Sequence, residues 1–115
     1  MTNSQVPVPT KIILHKKSRS LEIEFSPSEI FNLPCEYLRV FSPSAEVRGH
    51  GVGNEKLVTG KENVNILTIE PVGQYAIKPI FSDGHRSGIY SWNLLYDLGV
   101  HQEENWAAYL KRCRG

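Results

Sequence analysis

Long hydrophobic runs are missing from this 115-residue chain. None approaches the roughly 20 apolar residues a helix needs to cross a bilayer, so no membrane-spanning helix is expected. Cysteine is scarce: Cys35 and Cys113 are the only two, too few for a disulfide scaffold, and a reducing cytoplasm is the expected setting. An excess of one charge is also missing. Thirteen Lys and Arg stand against twelve Asp and Glu, a formal net charge of +1, without the basic stripe that marks a nucleic-acid binder. Residues 1–10 are polar and hold Pro7 and Pro9. They read as a frayed tail, not a secretion signal.

What is present suits one globular domain. With 40% hydrophobic and 22% charged residues, a chain of this length can enclose one core but not a catalytic domain plus a cofactor domain. Residues 11–15 and 21–25 are strand-like; in the second, Leu21, Ile23 and Phe25 alternate with Glu22 and Glu24, as on a half-buried strand. The charged stretch His15-Lys16-Lys17-Ser18-Arg19-Ser20 suits a hairpin tip. Ser26-Pro27-Ser28-Glu29 carries helix-capping chemistry, which predicts a helical turn through Ile30 and Phe31, ended by Pro34. Residues 36–41, with Tyr37, Leu38, Val40 and Phe41, read as a third strand. Residues 63–69 and 75–81 read as two more, joined by a turn at Pro71-Val72-Gly73-Gln74.

The tight turn Ser82-Asp83-Gly84-His85 leads to a short strand at 88–90 and a helix over 91–98, with Gly99 as its C′ residue. A last amphipathic helix over 103–112 carries Trp106, Tyr109 and Leu110. Its acidic start (Glu103, Glu104) and basic end (Lys111, Arg112) complement the helix dipole. The prediction is an α+β domain over residues 11–112: a small, mostly antiparallel sheet of five to six short strands, or two such sheets, with two C-terminal helices packed on it.

Two loops concentrate glycine and polar groups: residues 42–53, Ser-Pro-Ser-Ala-Glu-Val-Arg-Gly-His-Gly-Val-Gly, and residues 82–88, Ser-Asp-Gly-His-Arg-Ser-Gly. Each follows a predicted strand, where a scaffold displays functional groups. Together with Tyr37-Leu38-Arg39, the run from Ile69 through Ile77 (Ile-Glu-Pro-Val-Gly-Gln-Tyr-Ala-Ile) and Tyr90-Ser91-Trp92, these loops make the chain resemble the gamma-butyrobetaine hydroxylase-like N-terminal domain. The resemblance spans about residues 11–112 and rests on several uncommon strings in the right order.

That resemblance implies a bacterial, standalone member of a family of accessory domains of unknown function. In the hydroxylase the domain precedes a separate iron- and 2-oxoglutarate-dependent catalytic domain that has no counterpart here. In some iron–sulfur cluster carriers a similar domain is joined to a P-loop ATPase. Zinc-bearing relatives carry Cys-Pro-Cys-x-x-Cys and a later histidine; those positions fall here on Ser42, Ser44, Val47 and His85. A hydroxyl is a poor zinc ligand and valine is none, so no zinc is expected there.

Other chemistry stays open at this point. His50 and His85 with Asp83 or Glu46 would make the two-histidine, one-carboxylate set of non-haem iron, against the plainer reading of loop histidines in ordinary hydrogen bonds. Arg48 and the neighbouring glycines, with Ser44 and Arg86, would suit an anion; the plainer reading is glycines serving a tight loop. Cys35 reads as a buried structural thiol near a strand start, and Cys113 lies at a terminus. Ser87 and Ser91 lack the strand–elbow–helix setting of a nucleophile. Trp92 and Trp106 read as packing between helices and sheet, Trp106 also as an interface residue. With no base–nucleophile pair and no cofactor motif, an independent enzyme is not expected. The leading expectation is a non-catalytic accessory or protein-interaction domain, its iron or iron–sulfur link and its iron–sulfur or oxygenase-related partner resting on the resemblance alone. The alternative is a small-molecule, anion or metal-ion binder using the two loops. A contiguous exposed apolar patch favours the first; convergence of Arg48, His50 and His85 favours the second.

Overall fold

The computed structural model describes residues 7–43 and 58–114. They form two three-stranded antiparallel sheets and three helices, the α+β arrangement read from the sequence. The first sheet has order β1 (Lys11–His15), β2 (Ser20–Ser26), β3 (Glu29–Pro34). On β2, Leu21, Ile23 and Phe25 are buried. Glu22 and Glu24 on the opposite face pair with His15 at 2.8 Å and Lys11 at 3.9 Å. The tail is anchored by its last residue, since Thr10 N donates to Glu24 O at 2.7 Å.

The helical turn expected at Ile30 and Phe31 is instead β3. Capping chemistry at residues 26–29 is answered within the hairpin turn, where Ser26 Oγ reaches Ser28 Oγ and Glu29 Oε1. Pairing with β2 sets Leu33 opposite Leu21 and Phe31 opposite Ile23. It buries Leu33 and brings Phe31 edge-on to Phe25 and Tyr96, a gain that outweighs a local cap worth about 1 kcal/mol.

The strand expected over 36–41 is instead α1 (Cys35–Val40). Its buried side chains, Cys35, Tyr37, Leu38 and Val40, include the adjacent pair Tyr37 and Leu38 and the pairs 35/38 and 37/40 three apart, which a helix can turn inward together and a flat strand cannot. Pro34 serves as an extended N-cap without a side-chain bond. The N–H of Cys35 is met by Arg19 O at 2.9 Å, so a distant turn supplies the cap.

The second sheet runs β4 (Ile66–Val72), β5 (Ala76–Phe81), β6 (Tyr90–Ser91). The hairpin tip is Gly73, at φ 53°. β4 extends through Pro71 and Val72, which the sequence assigned to the turn; proline is tolerated because β4 pairs on one side only. Ser91 caps α2 (Trp92–Val100), its Oγ accepting from Leu94 N at 3.1 Å. Gly99 lies inside α2 and does not terminate it. A Cβ there would stand 2.5 Å from Phe31 Cγ, so glycine serves the close approach of helix to β3. His101 closes α2 and leads directly into α3 (Gln102–Arg114). Leu21, Ile23, Leu38, Ile66, Phe81 and Leu95 make up much of the single core between sheets and helices. No helix among the described residues is long and apolar enough to cross a membrane.

Candidate functional site

The first concentration of chemistry lies where the end of α1 meets the loop between β5 and β6. That loop begins in a turn with Gly84 at φ 93°, as its sequence predicts. Asp83 is the hub: Oδ2 accepts from Arg39 Nε at 2.8 Å and Lys61 Nζ at 2.7 Å, and Oδ1 from the His85 main-chain N at 3.1 Å. Partial burial pushes this carboxyl upward, but bonds from Lys61, the His85 amide and Arg39 outweigh it and hold the pKa at about 2. His85 is buried, with Nε2 2.9 Å from the buried Ser42 Oγ and its ring against Phe81. The loop can close this far because residue 88 is glycine; a Cβ there would sit 2.5 Å from Ser42 Oγ. Tyr90 donates its hydroxyl to Leu38 O, and burial pushes its phenol well above the usual value. Arg39 Nη1 is buried with no hydrogen-bond partner among the described residues.

Asn65 locks the base of this loop. It exchanges hydrogen bonds with Ser82 (Asn65 N to Ser82 Oγ, 2.9 Å; Ser82 N to Asn65 O, 2.8 Å). Its Nδ2 donates to Lys16 O at 3.0 Å, and its Oδ1 lies 3.8 Å from Cys35 Sγ. Cys35 is buried as expected, at a helix start instead of a strand start, and burial raises its thiol pKa.

Of the residues singled out in the sequence, Ser42, Asp83 and His85 come together here. Arg86 is exposed. Ser44, Glu46, Val47, Arg48 and His50 lie outside the described residues, and with them most of the 42–53 loop. Among the described residues no group of three or more His, Cys, Asp and Glu is placed to hold a metal. Ser42 and His85, the two described positions that align with the zinc ligands of relatives, bond to each other through a hydroxyl. This pair does not fit a thiolate-rich zinc site. Arg39, Lys61 and Asn65 were missed by sequence reasoning. Only Tyr37-Leu38-Arg39, quoted for family likeness, touched one of them.

The second feature is an open apolar groove of about 310 Å³ between the start of α1 and the outer face of α3. It is lined by Pro34, Tyr37, Gln102, Glu103, Trp106, Ala107 and Leu110. The Trp106 ring stacks on Tyr109 at 4.8 Å and meets Tyr37 edge-on at 6.0 Å. Tyr37 is fixed from below, its hydroxyl donating to Leu98 O at 2.6 Å and accepting from Asn105 Nδ2 at 3.0 Å. Leu110 is 41% exposed and lines the groove beside Trp106 and Ala107.

Residues 12–96 match the family model described as gamma-butyrobetaine hydroxylase-like, N-terminal. The chain belongs to this family. Its fold is shared by two proteins whose NMR solution structures are known. One is 55% identical with a TM-score of 0.82, covering 99% of this chain and 86% of that one. The other is 44% identical with a TM-score of 0.84, covering 96% and 87%. A crystal structure of an Acidithiobacillus ferrooxidans protein of unknown function from the DUF971 family is 34% identical, with a TM-score of 0.69, covering 84% of this chain and 98% of that one. No curated protein matches the chain. The family is thus one of domains of unknown function, and the match to the small DUF971 protein extends over nearly all of that chain.

Proposed function

We propose that this domain is a non-catalytic accessory module that works by binding another protein, and that the groove between α1 and α3 is its docking surface. The observation that carries this reading is the groove itself: an exposed, contiguous apolar surface with a fixed aromatic floor and one carboxylate, Glu103, at its rim. The polar junction supports it from the other side. Its Asp83 carboxylate is held by two cations and a main-chain N–H, an arrangement that ties loops together, and the one histidine–hydroxyl contact here, His85 with Ser42, is buried on both sides, away from any substrate. Family likeness suggests a cytoplasmic partner from iron–sulfur or oxygenase chemistry. Quantitative co-purification of the tagged wild-type chain and Leu110→Arg from the native host tests the proposal. A defined partner recovered with wild type and with Arg86→Ala, but lost with Leu110→Arg, is expected. Equal recovery with all three overturns the groove as the docking surface.

A second reading, binding of a small anion at the loop junction, is favoured by one observation: the buried Nη1 of Arg39 has no acceptor among the described residues, and an unmet buried donor is costly. Titration with phosphate and with small carboxylates, followed by the Arg39 and His85 NMR signals, tests it. Saturable shifts lost in Arg39→Lys support the reading; no shift at either residue removes it.

A further inference from the structure

The exposed face of α3 has an internal symmetry of charge. Glu103 and Glu104 open the helix, Lys111 and Arg112 lie near its end, and the exposed small residues Ala107 and Ala108 stand between them. Glu103 and Lys111 enter no ion pair among the described residues, whereas Glu104 is 2.8 Å from the exposed His101. Around Ala107 the groove supplies apolar surface from Trp106 and Leu110.

At 3.6 residues per turn, positions 103, 107, 110 and 111 fall along one side of the helix. Turning the helix end for end about Ala107 carries position 103 onto 111 and position 104 onto 110. The face is therefore complementary to itself when antiparallel. A second copy would set its Lys111 against Glu103, and the reverse, on the two flanks of an apolar centre. The alanine at the crossing lets the two helix axes approach to about 8–10 Å.

We propose that this face of α3 pairs antiparallel with the same face of a second copy of the chain, about a two-fold axis near Ala107. The proposal rests on the groove being a docking surface and adds the identity of one occupant. A single helix face buries less than the roughly 1,200–2,000 Å² of a standard interface, so the pair is weak, forms in the micromolar-to-millimolar range, and loosens with added salt because its charged flanks face solvent.

Sedimentation equilibrium across that concentration range is the test, with the charge reversals Glu103→Lys, Lys111→Glu and the double variant. Both sites are exposed, and circular dichroism confirms that each variant folds. Wild type is expected to dimerise. Each single reversal sets like charges opposite one another and weakens the dimer about tenfold or more, and the double variant regains most of the loss. A basic partner of another kind would not respond to the double swap in this way. Orientation is read separately at Cys113, the exposed thiol. In the antiparallel pair it lies twelve residues from its counterpart, about 18 Å along the axis. Spin labels there should report a defined separation of at least that order, and rapid Cys113–Cys113 disulfide formation overturns the antiparallel geometry. A chain that stays monomeric throughout, or a dimer indifferent to both reversals, overturns the proposal. If the monomer still captures a partner in a Leu110-dependent way, the docking surface stands and only its occupant is wrong.

Discussion

The loop junction around Asp83 and the groove along α3 treat their exceptional groups in opposite ways. At the junction, charges and hydroxyls are drawn inside and answered by one another: Asp83 by Arg39 and Lys61, Ser42 by His85, Tyr90 by the carbonyl of Leu38. At the groove, the apolar Leu110 and part of Trp106 stay at the surface. Buried polar groups that satisfy one another hold a fold in one arrangement. Apolar surface left in water is a standing preference for something to cover it. A self-satisfied polar network thus stands apart from the proposed binding face, reversing the weight that glycine-rich loops carry in a sequence.

Substitutions on the two sides should therefore differ in kind. The largest effect is expected from Asp83→Ala, which strands the half-buried Arg39 and Lys61 cations. A loss of about 2 kcal/mol in urea unfolding is expected after allowing for partial exposure, and a loss under about 0.5 kcal/mol would mean the junction is not a fastening. His85→Ala comes next, at about 1–2 kcal/mol, because it leaves Ser42 buried without its ring partner; an unchanged melting temperature would move His85 from structural to ligand-binding duty.

Acid should act through the same carboxylate. Its folded pKa of about 2 lies below its ordinary value of 3.8, so its contribution is complete above about pH 4 and fades as pH falls toward about 2. Acid unfolding of Asp83→Asn should lose that part of the pH dependence, while an identical acid limb would exclude Asp83 as its source. The smallest effect on stability is expected in the groove. Leu110→Arg should stay within about 0.5 kcal/mol of wild type, while partner recovery falls. A large loss of stability there would make Leu110 a core residue and dissolve the contrast.

Much of the first sheet was legible because β2 alternates cleanly between Leu21, Ile23, Phe25 and the glutamates. The second hairpin was legible from Gly73, and α3 from its amphipathic spacing and acidic start. Residues 26–41 were misread twice in succession. The capping signal at Ser26 to Glu29 is real but local, and it lost to pairing with β2; the apolar string from Cys35 to Phe41 fits either period until its surroundings choose. Gly99 misled for a related reason, since a glycine that ends a helix and one that admits a neighbour look alike in one dimension. For the candidate sites, Asp83 and His85 were visible as loop residues. Arg39, Lys61 and Asn65 were not, because their roles depend on partners 44, 22 and 17 residues away.

Taken alone, the order of residues decided the class of the domain, its family, the alternation of β2 and the charge gradient along α3, all properties of neighbours along the chain. Tertiary structure decided that residues 29–34 extend, that residues 35–40 coil, that Asp83 is a fastening and that Trp106 and Leu110 border an open groove. Each of these turns on what lies across space from a residue, where burial and pairing energies exceed the fractions of a kcal/mol that local preference supplies.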